Sequence, residues 1–172
     1  FWPRLAGVKR SRGREAGELR VLIKPDLGVF DCEASTGTDP RLVEHLIALL
    51  HARGFTDVAV AAAPGRAALW AGYRYVTDEG RADDVVDLSE DLVELPAISG
   101  GVLGGSGIAR AWLEADLRIS FAKNKTDEEE GYALGLQNLI GVLPLRDKTY
   151  HYRHRLPAAD VARDLLARAP AD

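Results

Sequence analysis

The sequence is poor in the residues that build redox and structural-metal sites. Cys32 is the only cysteine, and there are four histidines in 172 residues. A lone cysteine excludes an internal disulfide bond, and it excludes an all-cysteine zinc or iron–sulfur site formed within one chain. No apolar run approaches the roughly 18–20 residues that a membrane-spanning helix needs. We therefore expect neither a disulfide scaffold nor a membrane partner.

An excess of positive charge is also missing. The formal net charge is −4, whereas general nucleic-acid binders usually carry a basic face. A local exception lies near the N-terminus, where four basic residues cluster: Lys9, Arg10, Arg12 and Arg14. Glu15 and Glu18 follow at once, and no aromatic residues interleave for stacking on bases. We interpret residues 1–18 as a flexible basic leader. We do not expect nucleic acid to be a partner.

The N-terminal tetrapeptide Phe1–Arg4 has no charged region followed by an apolar segment, so it does not resemble a secretory signal. A cytoplasmic location is the expectation. Apolar residues make up 47% of the chain, which suffices for the core of one ordinary domain.

The hydrophobic pattern predicts an α/β fold. A short apolar run at Leu19–Ile23 is typical of a buried strand, and the run Val58–Ala61 is typical of a second one. Between them, Asp39-Pro40 begins a helix with apolar residues on one face, and Gly54 ends it. The unit is a βαβ crossover. We predict a single domain over residues 19–169, in three layers around a mostly parallel sheet.

The remaining elements are less regular. The predictions, in chain order, are a helix at Arg66–Tyr73, a strand at Asp84–Leu88, a helix at Ile108–Ala115, a strand at Leu117–Phe121, and helices at Tyr132–Ile140 and Pro157–Ala169. The connection from Pro25 to Thr38 is long for a βα loop, which usually has about 2–6 residues. It leaves the carboxyl end of the first strand, where open α/β sheets bind ligands.

A glycine-rich segment, Ser99–Gly107, precedes the predicted helix at Ile108. Glycines let a backbone approach a phosphate, and a helix N-terminus would supply free N–H groups. The segment matches neither a dinucleotide fingerprint nor a Walker A loop. The alternative is an ordinary surface loop, and both interpretations stay open.

Lysines recur where strands end. Lys123, Lys125 and Thr126 follow the strand Leu117–Phe121, and Lys24 stands at the equivalent place after the first strand, which is expected to stop at Lys24-Pro25. If the two strands are neighbours, the lysines converge on one edge of the sheet and can hold a phosphate or carboxylate. The alternative is that lysines stand at strand ends because they are solvated there.

Polar residues further along offer other chemistry. Asn138 lies in an apolar stretch, so its amide is either a structural contact or a ligand contact. The acidic run Asp127–Glu130 is typical of a solvated helix start, with divalent-metal binding as the alternative. His151 and His154 stand three residues apart near Lys148, which permits a metal pair or, at His151, a general acid or base.

Two further hypotheses concern single features. Cys32 lies in the long loop and could act as a nucleophile, although a lone cysteine is more often inert. A non-catalytic assembly module is the rival to an enzyme. Its homo-oligomer interface would use large aromatic side chains, which are Trp70, Tyr73, Tyr75 and Trp112.

Five separated motifs resemble the domain-of-unknown-function 362 family in order and spacing. They are Val21–Leu27, Thr38–Pro40, Glu114–Leu117, Lys123–Thr126 and Leu136–Gly141. The resemblance covers about Leu19 to Leu166. It implies an α/β domain with no securely assigned activity. Family members tend to continue beyond the position that corresponds to the last residue of this sequence.

Some members of that family carry iron–sulfur modules, which suggests a redox role for them. This chain has one cysteine, so the suggestion does not extend to it. The sequence also departs from the family pattern at three polar positions. Asp26 replaces an asparagine, Asp127 a histidine and Gln137 a lysine, and these changes bear on any shared ligand.

The leading hypothesis is a domain that binds a small anionic ligand at the carboxyl ends of its strands, with or without catalysis. The candidate catalytic residues are His151 and Lys125. The candidate ligand-binding residues are Lys24, Asp26, Thr38, Asp39, Lys123, Thr126, Asn138 and Lys148. Divalent-metal binding through His151, His154 and the acidic run is a second alternative, and the sequence names no cofactor.

Overall fold

The computed structural model describes residues 2–27, 37–63, 84–126, 131, 134–144 and 156–172. The helices in these ranges are α1 (Trp2–Arg12), α2 (Pro40–His51), α3 (Arg110–Glu114), α4 (Gly135–Ile140) and α5 (Ala158–Arg168). The strands are β1 (Arg20–Pro25), β2 (Asp57–Ala62), β3 (Asp84–Asp87), β4 (Leu92–Glu94), β5 (Gly107–Ala109) and β6 (Leu117–Phe121).

Four of these strands form one parallel sheet in the order β3-β2-β1-β6. The central strand β1 is buried along nearly its whole length, because it has neighbours on both sides and helices on both faces. On the β6 side, Lys24 is the register partner of Ser120 and Pro25 that of Phe121. The predicted parallel α/β domain is therefore confirmed, and the two strands expected to carry the lysines are neighbours.

The core lies in two layers, one on each face of this sheet. Successive strand side chains point to opposite faces. Val21 and Ile23 accordingly pack in the cluster that contains Val43 and Ile47 of α2. Leu22 belongs to the opposite cluster with Ala59 and Ala61 of β2. The other large side chains of this cluster come from the second half of the chain: Leu103, Trp112, Leu139, Val142, Val161 and Leu165. The helices on the two faces make the three-layer arrangement that the pattern predicted.

Several element bounds differ from the predictions. Residues Gly107–Ala109 pair with Leu92–Glu94 as a small antiparallel ladder, so the helix expected from Ile108 begins at Arg110. β4, at three residues, is too short for a periodic signal. The strand predicted at Asp84 and that at Leu117 are confirmed. The helix predicted at Arg66–Tyr73 lies outside the described residues.

The segment interpreted as a flexible leader has structure of its own. α1 occupies Trp2–Arg12, and Leu5 is 3% exposed within the α2-side core. Arg14 donates two hydrogen bonds to Asp116, at 3.1 and 3.0 Å. Arg12 also lies 3.9 Å from Asp116, and Val8 packs against the same core. These contacts attach the segment to the domain, and none of them shows as a periodic pattern in so polar a stretch.

α5 holds the glycine-rich segment in place through a buried carboxylate. Asp164 is 4% exposed, and its Oδ2 accepts hydrogen bonds from the backbone N–H groups of Val102 and Leu103, both at 2.9 Å. Arg168, one turn later, donates to Asp164 Oδ1 at 2.6 Å. Gly101 is required beside this pair, because a Cβ there would lie 2.8 Å from both Asp164 and Arg168.

We predict that Asp164→Ala lowers the free energy of unfolding by about 3–5 kcal/mol, because it leaves the guanidinium of Arg168 buried without its carboxylate. Chemical denaturation measures this change. The matched control is Asp160→Ala on the same helix, which breaks the more exposed pair Asp160–Arg163. Exposed pairs contribute about 0–1 kcal/mol. Equal losses in the two variants would contradict the anchoring role of Asp164.

The pH dependence of stability follows from the same carboxylate. Burial alone raises the pKa of Asp164, but hydrogen bonds from Arg168, Leu103 and Val102 outweigh burial and leave its pKa below the ordinary value of 3.8. A depressed folded-state pKa contributes stability above the unfolded pKa, and this contribution is lost as pH falls through the folded pKa. The Asp164→Asn variant should therefore lose less stability than the wild type during acid titration below pH 3.8.

Candidate functional site

The centre of the site is a hydrogen-bonded network between β1, β6 and α4. Lys24 is 5% exposed, and its ammonium donates to Asn138 Oδ1 at 2.7 Å and to the carbonyl of Pro25 at 3.0 Å. The Asn138 amide nitrogen donates back to the carbonyl of Lys24 at 3.1 Å and to Ser120 Oγ at 3.0 Å. The Asn138 side chain thus joins both strands to the helix.

Gly141 leaves the space that the Lys24 side chain occupies. A Cβ at this position would lie 2.6 Å from both Cε and Nζ of Lys24, and 3.0 Å from the backbone oxygen of Asn138. The backbone of Gly141 is right-handed helical, at φ −64 and ψ −6, so conformation does not require glycine there. Close approach of the lysine is the reason for it.

A second set of contacts closes the ends of the strands. Thr38 Oγ1 donates to the carbonyl of Phe121 at 2.6 Å and accepts from the N–H of Asp26 at 3.0 Å. Lys125 Nζ lies 2.9 Å from Asp26 Oδ2, and both side chains are partly exposed. The residues around the long βα connection therefore meet the segment that follows β6 at one edge of the sheet.

Asp39 caps α2 beside this edge. The pKa of its carboxyl is lowered, mainly by the hydrogen bond from the Arg41 side chain, then by the Arg41 backbone N–H, with a smaller effect from the positive charge of Lys123. The contacts are 2.6 Å from Arg41 Nη2 and 2.9 Å from Arg41 N. Asp39 is therefore ionised and committed to the cap, while Lys123 lies close enough to influence it.

A family model described as "Domain of unknown function (DUF362)" matches residues 21–169. The chain belongs to the DUF362 family. Searches of curated proteins and of solved structures found no significant match. The description of the family states no activity, so any function has to follow from the residues of the site.

The geometry brings together motifs that lie far apart in this DUF362 chain. Lys24 in the first motif contacts Asn138 and Gly141 in the last, and Thr38 contacts both Asp26 and the end of β6. Lys24 is buried, so for this residue the solvated alternative is wrong. The bonds of both Asn138 side-chain atoms favour its structural role.

Several candidate site residues lie outside this network or outside the described residues. Thr126 is exposed at the end of the segment, and the hydrogen bonds of the network described above involve other residues. Lys148, His151, His154, Cys32 and the acidic run 127–130 all lie outside the described residues. Across the ranges that are described, no group of three metal-ligating side chains is found, and no helix is long and apolar enough to cross a membrane.

The glycine-rich segment of the DUF362 domain is not the phosphate loop that one interpretation suggested. Two of its backbone N–H groups, those of Val102 and Leu103, already donate to the carboxylate of Asp164. The segment leads into β5 rather than into a helix N-terminus. Glycine content alone could not show this, because the partner carboxylate is about sixty residues away.

Trp112 does not serve an oligomer interface, so this part of the assembly hypothesis is wrong. Its side chain is fully buried, and its Nε1 donates to the carbonyl of Ala169 at 3.1 Å. A tryptophan on a short helix is expected to bury most of its area in a core when its N–H finds a partner. Trp70, Tyr73 and Tyr75 lie outside the described residues.

We predict that Gly141→Ala lowers the free energy of unfolding by about 1–3 kcal/mol, the usual cost of overfilling a packed site. The added methyl group would displace the Lys24 ammonium from Asn138, and the ammonium is buried too deeply to take water instead. Thermal or urea unfolding measures the loss.

Gly135→Ala is the matched control on the same helix, because a Cβ there meets nothing within 4 Å. Replacing a helical glycine by alanine should be neutral or stabilise by up to about 1 kcal/mol. Equal stability of the Gly141→Ala variant and the wild type would contradict the packing of Lys24 described above.

Proposed function

We propose that the domain binds a small anionic ligand, bearing phosphate or carboxylate, at the carboxyl ends of β1 and β6. The observation that carries this proposal is the sheet order. The chain continues from β1 to β2 and β3 on one side, while β6 is added on the other. In open α/β sheets, ligands bind outside the carboxyl ends of the strands where the order reverses in this way.

The charges at this reversal point suit an anion. Lys24 lies in β1, and Lys123 and Lys125 follow β6 directly. Lys24 is engaged by Asn138 and the Pro25 carbonyl, so its role is to supply positive charge from behind the site. Partly exposed Lys123 and Lys125 are the proposed contacts, with the exposed hydroxyl of Thr126 beside them.

The ion pair between Lys125 and Asp26 supports the proposal. It shows that the edge of the sheet accommodates a carboxylate 2.9 Å from the lysine. The exposed fractions are 26% for the Lys125 side chain and 16% for that of Asp26. A partly solvated pair of this kind contributes about 0–1 kcal/mol. A ligand anion would compete with Asp26 for Lys125, and the small contribution of this pair to stability favours such an exchange.

A catalytic role for Lys125, and a proton-transfer role for His151, stay predictions, as does contact of the ligand with Lys148. The metal-binding alternative through His151 and His154 also stays a prediction. The assembly alternative has lost Trp112 from its interface, and no contact among the described residues favours it over anion binding.

We predict that Lys125→Ala weakens the binding of inorganic phosphate or citrate by about 10–150-fold, which corresponds to the roughly 1.5–3 kcal/mol of a charged hydrogen bond. Isothermal titration calorimetry at fixed ionic strength measures the dissociation constants. Raising the salt concentration should weaken binding to the wild type, because the contacts are partly solvated.

Arg20→Ala is the matched control. Arg20 forms a similar ion pair with Asp57, at 3.0 Å, but at the amino ends of β1 and β2. Its removal changes the net charge by the same amount and leaves the proposed site intact. An unchanged affinity in Lys125→Ala, or an equal loss in both variants, would overturn the assignment.

A further inference from the structure

A groove of about 600 Å³ lies where α4 and α5 cover the end of β6. Its lining includes Leu134, Leu136, Leu139, Ala162 and Leu166, together with Ser120 of β6. Small-molecule sites typically have volumes of roughly 300–1,000 Å³. The groove therefore has the size of a ligand site.

The described lining of the groove is mostly apolar. Among the described residues that line it, none is charged, and apart from Ser120 and Gln137 they are apolar or glycine. Leu134, Leu136 and Leu166 remain 43–57% exposed. Because the described part of the lining offers no charged partner to an ion, it favours an uncharged, apolar part of a ligand.

The groove adjoins the edge of the sheet where the anion is proposed to bind. Ser120 lines the groove, and its hydroxyl accepts a hydrogen bond from Asn138, which in turn holds the Lys24 ammonium. The buried positive charge is thus two hydrogen bonds from the groove wall. The segment Lys123–Thr126 begins three residues after Ser120.

We infer that the ligand is an amphipathic anion, with an alkyl or aryl tail in this groove and its phosphate or carboxylate at the carboxyl edge of β1 and β6. The inference rests on the proposed function and adds the class of ligand to it. The apolar lining selects the tail, and the lysines select the head group.

The test uses decanoate, decanol and inorganic phosphate as probes, each below any micelle-forming concentration, with calorimetric titration of the full chain. Leu136→Gln should weaken decanoate binding by about fivefold, because it removes part of a leucine contact. Ala159→Trp, which fills the groove from an exposed position on α5, should weaken it at least as strongly. Phosphate binding should be unchanged in both variants.

Leu42→Gln on α2 is the matched control, because Leu42 is 56% exposed and Leu136 is 57% exposed. It should leave every affinity unchanged. Lys125→Ala should weaken decanoate binding without weakening decanol binding. An unchanged decanoate affinity in both groove variants would overturn the inference. Phosphate binding without any decanoate binding would also overturn it, but the proposed anion site would then stand.

If decanol and decanoate bind with equal affinity and Lys125→Ala weakens neither, the charged head group contributes nothing to binding. That result would overturn the amphipathic-anion assignment. Absence of phosphate binding in the same titrations would then show that the proposed function had failed with it.

Discussion

A buried ammonium group at the end of β1 is the constraint on which the carboxyl edge of the sheet in this DUF362 domain depends. Lys24 is 5% exposed, and removing the partner of a buried charge typically costs about 3–5 kcal/mol. The amide of Asn138 and the carbonyl of Pro25 must therefore stay where they are. Since Asn138 belongs to α4 and also binds Ser120 in β6, one charge fixes two strands and a helix relative to each other.

Two other features of the edge follow from this arrangement. The position of α4 creates the apolar groove against α5, and Ser120 connects that groove to the network. The juxtaposition of β1 and β6 brings Asp26 to Lys125 and lets Thr38 join Asp26 to Phe121. A rigid polar network behind a partly solvated pair of charges is the arrangement expected of a preorganised ligand site.

The sequence predicted the sheet and the lysines, but not the contacts between them. Strands at Leu19 and Leu117 and the helix after Asp39 have strong local signals in their apolar runs and cap. Neither the pairing of Lys24 with Asn138 nor that of Leu103 with Asp164 is local, because each joins residues more than sixty positions apart. The sequence does give one indication of the Asp164–Arg168 pair. The two opposite charges are spaced i,i+4 in a helix, and the apolar residues Val161 and Leu165 flank the carboxylate. The need for glycine at position 141 has no signal at all without the position of Lys24.

A double-mutant cycle between Lys24 and Asn138 tests the central claim most directly. The free energy of unfolding would be measured in urea for the wild type, for Lys24→Met, for Asn138→Leu and for the double variant. We predict a coupling energy of about 1.5–3 kcal/mol, the range for a hydrogen bond to a charged group. A coupling energy within about 0.5 kcal/mol of zero would show that the two losses are independent, and it would contradict the account of a network built around the ammonium.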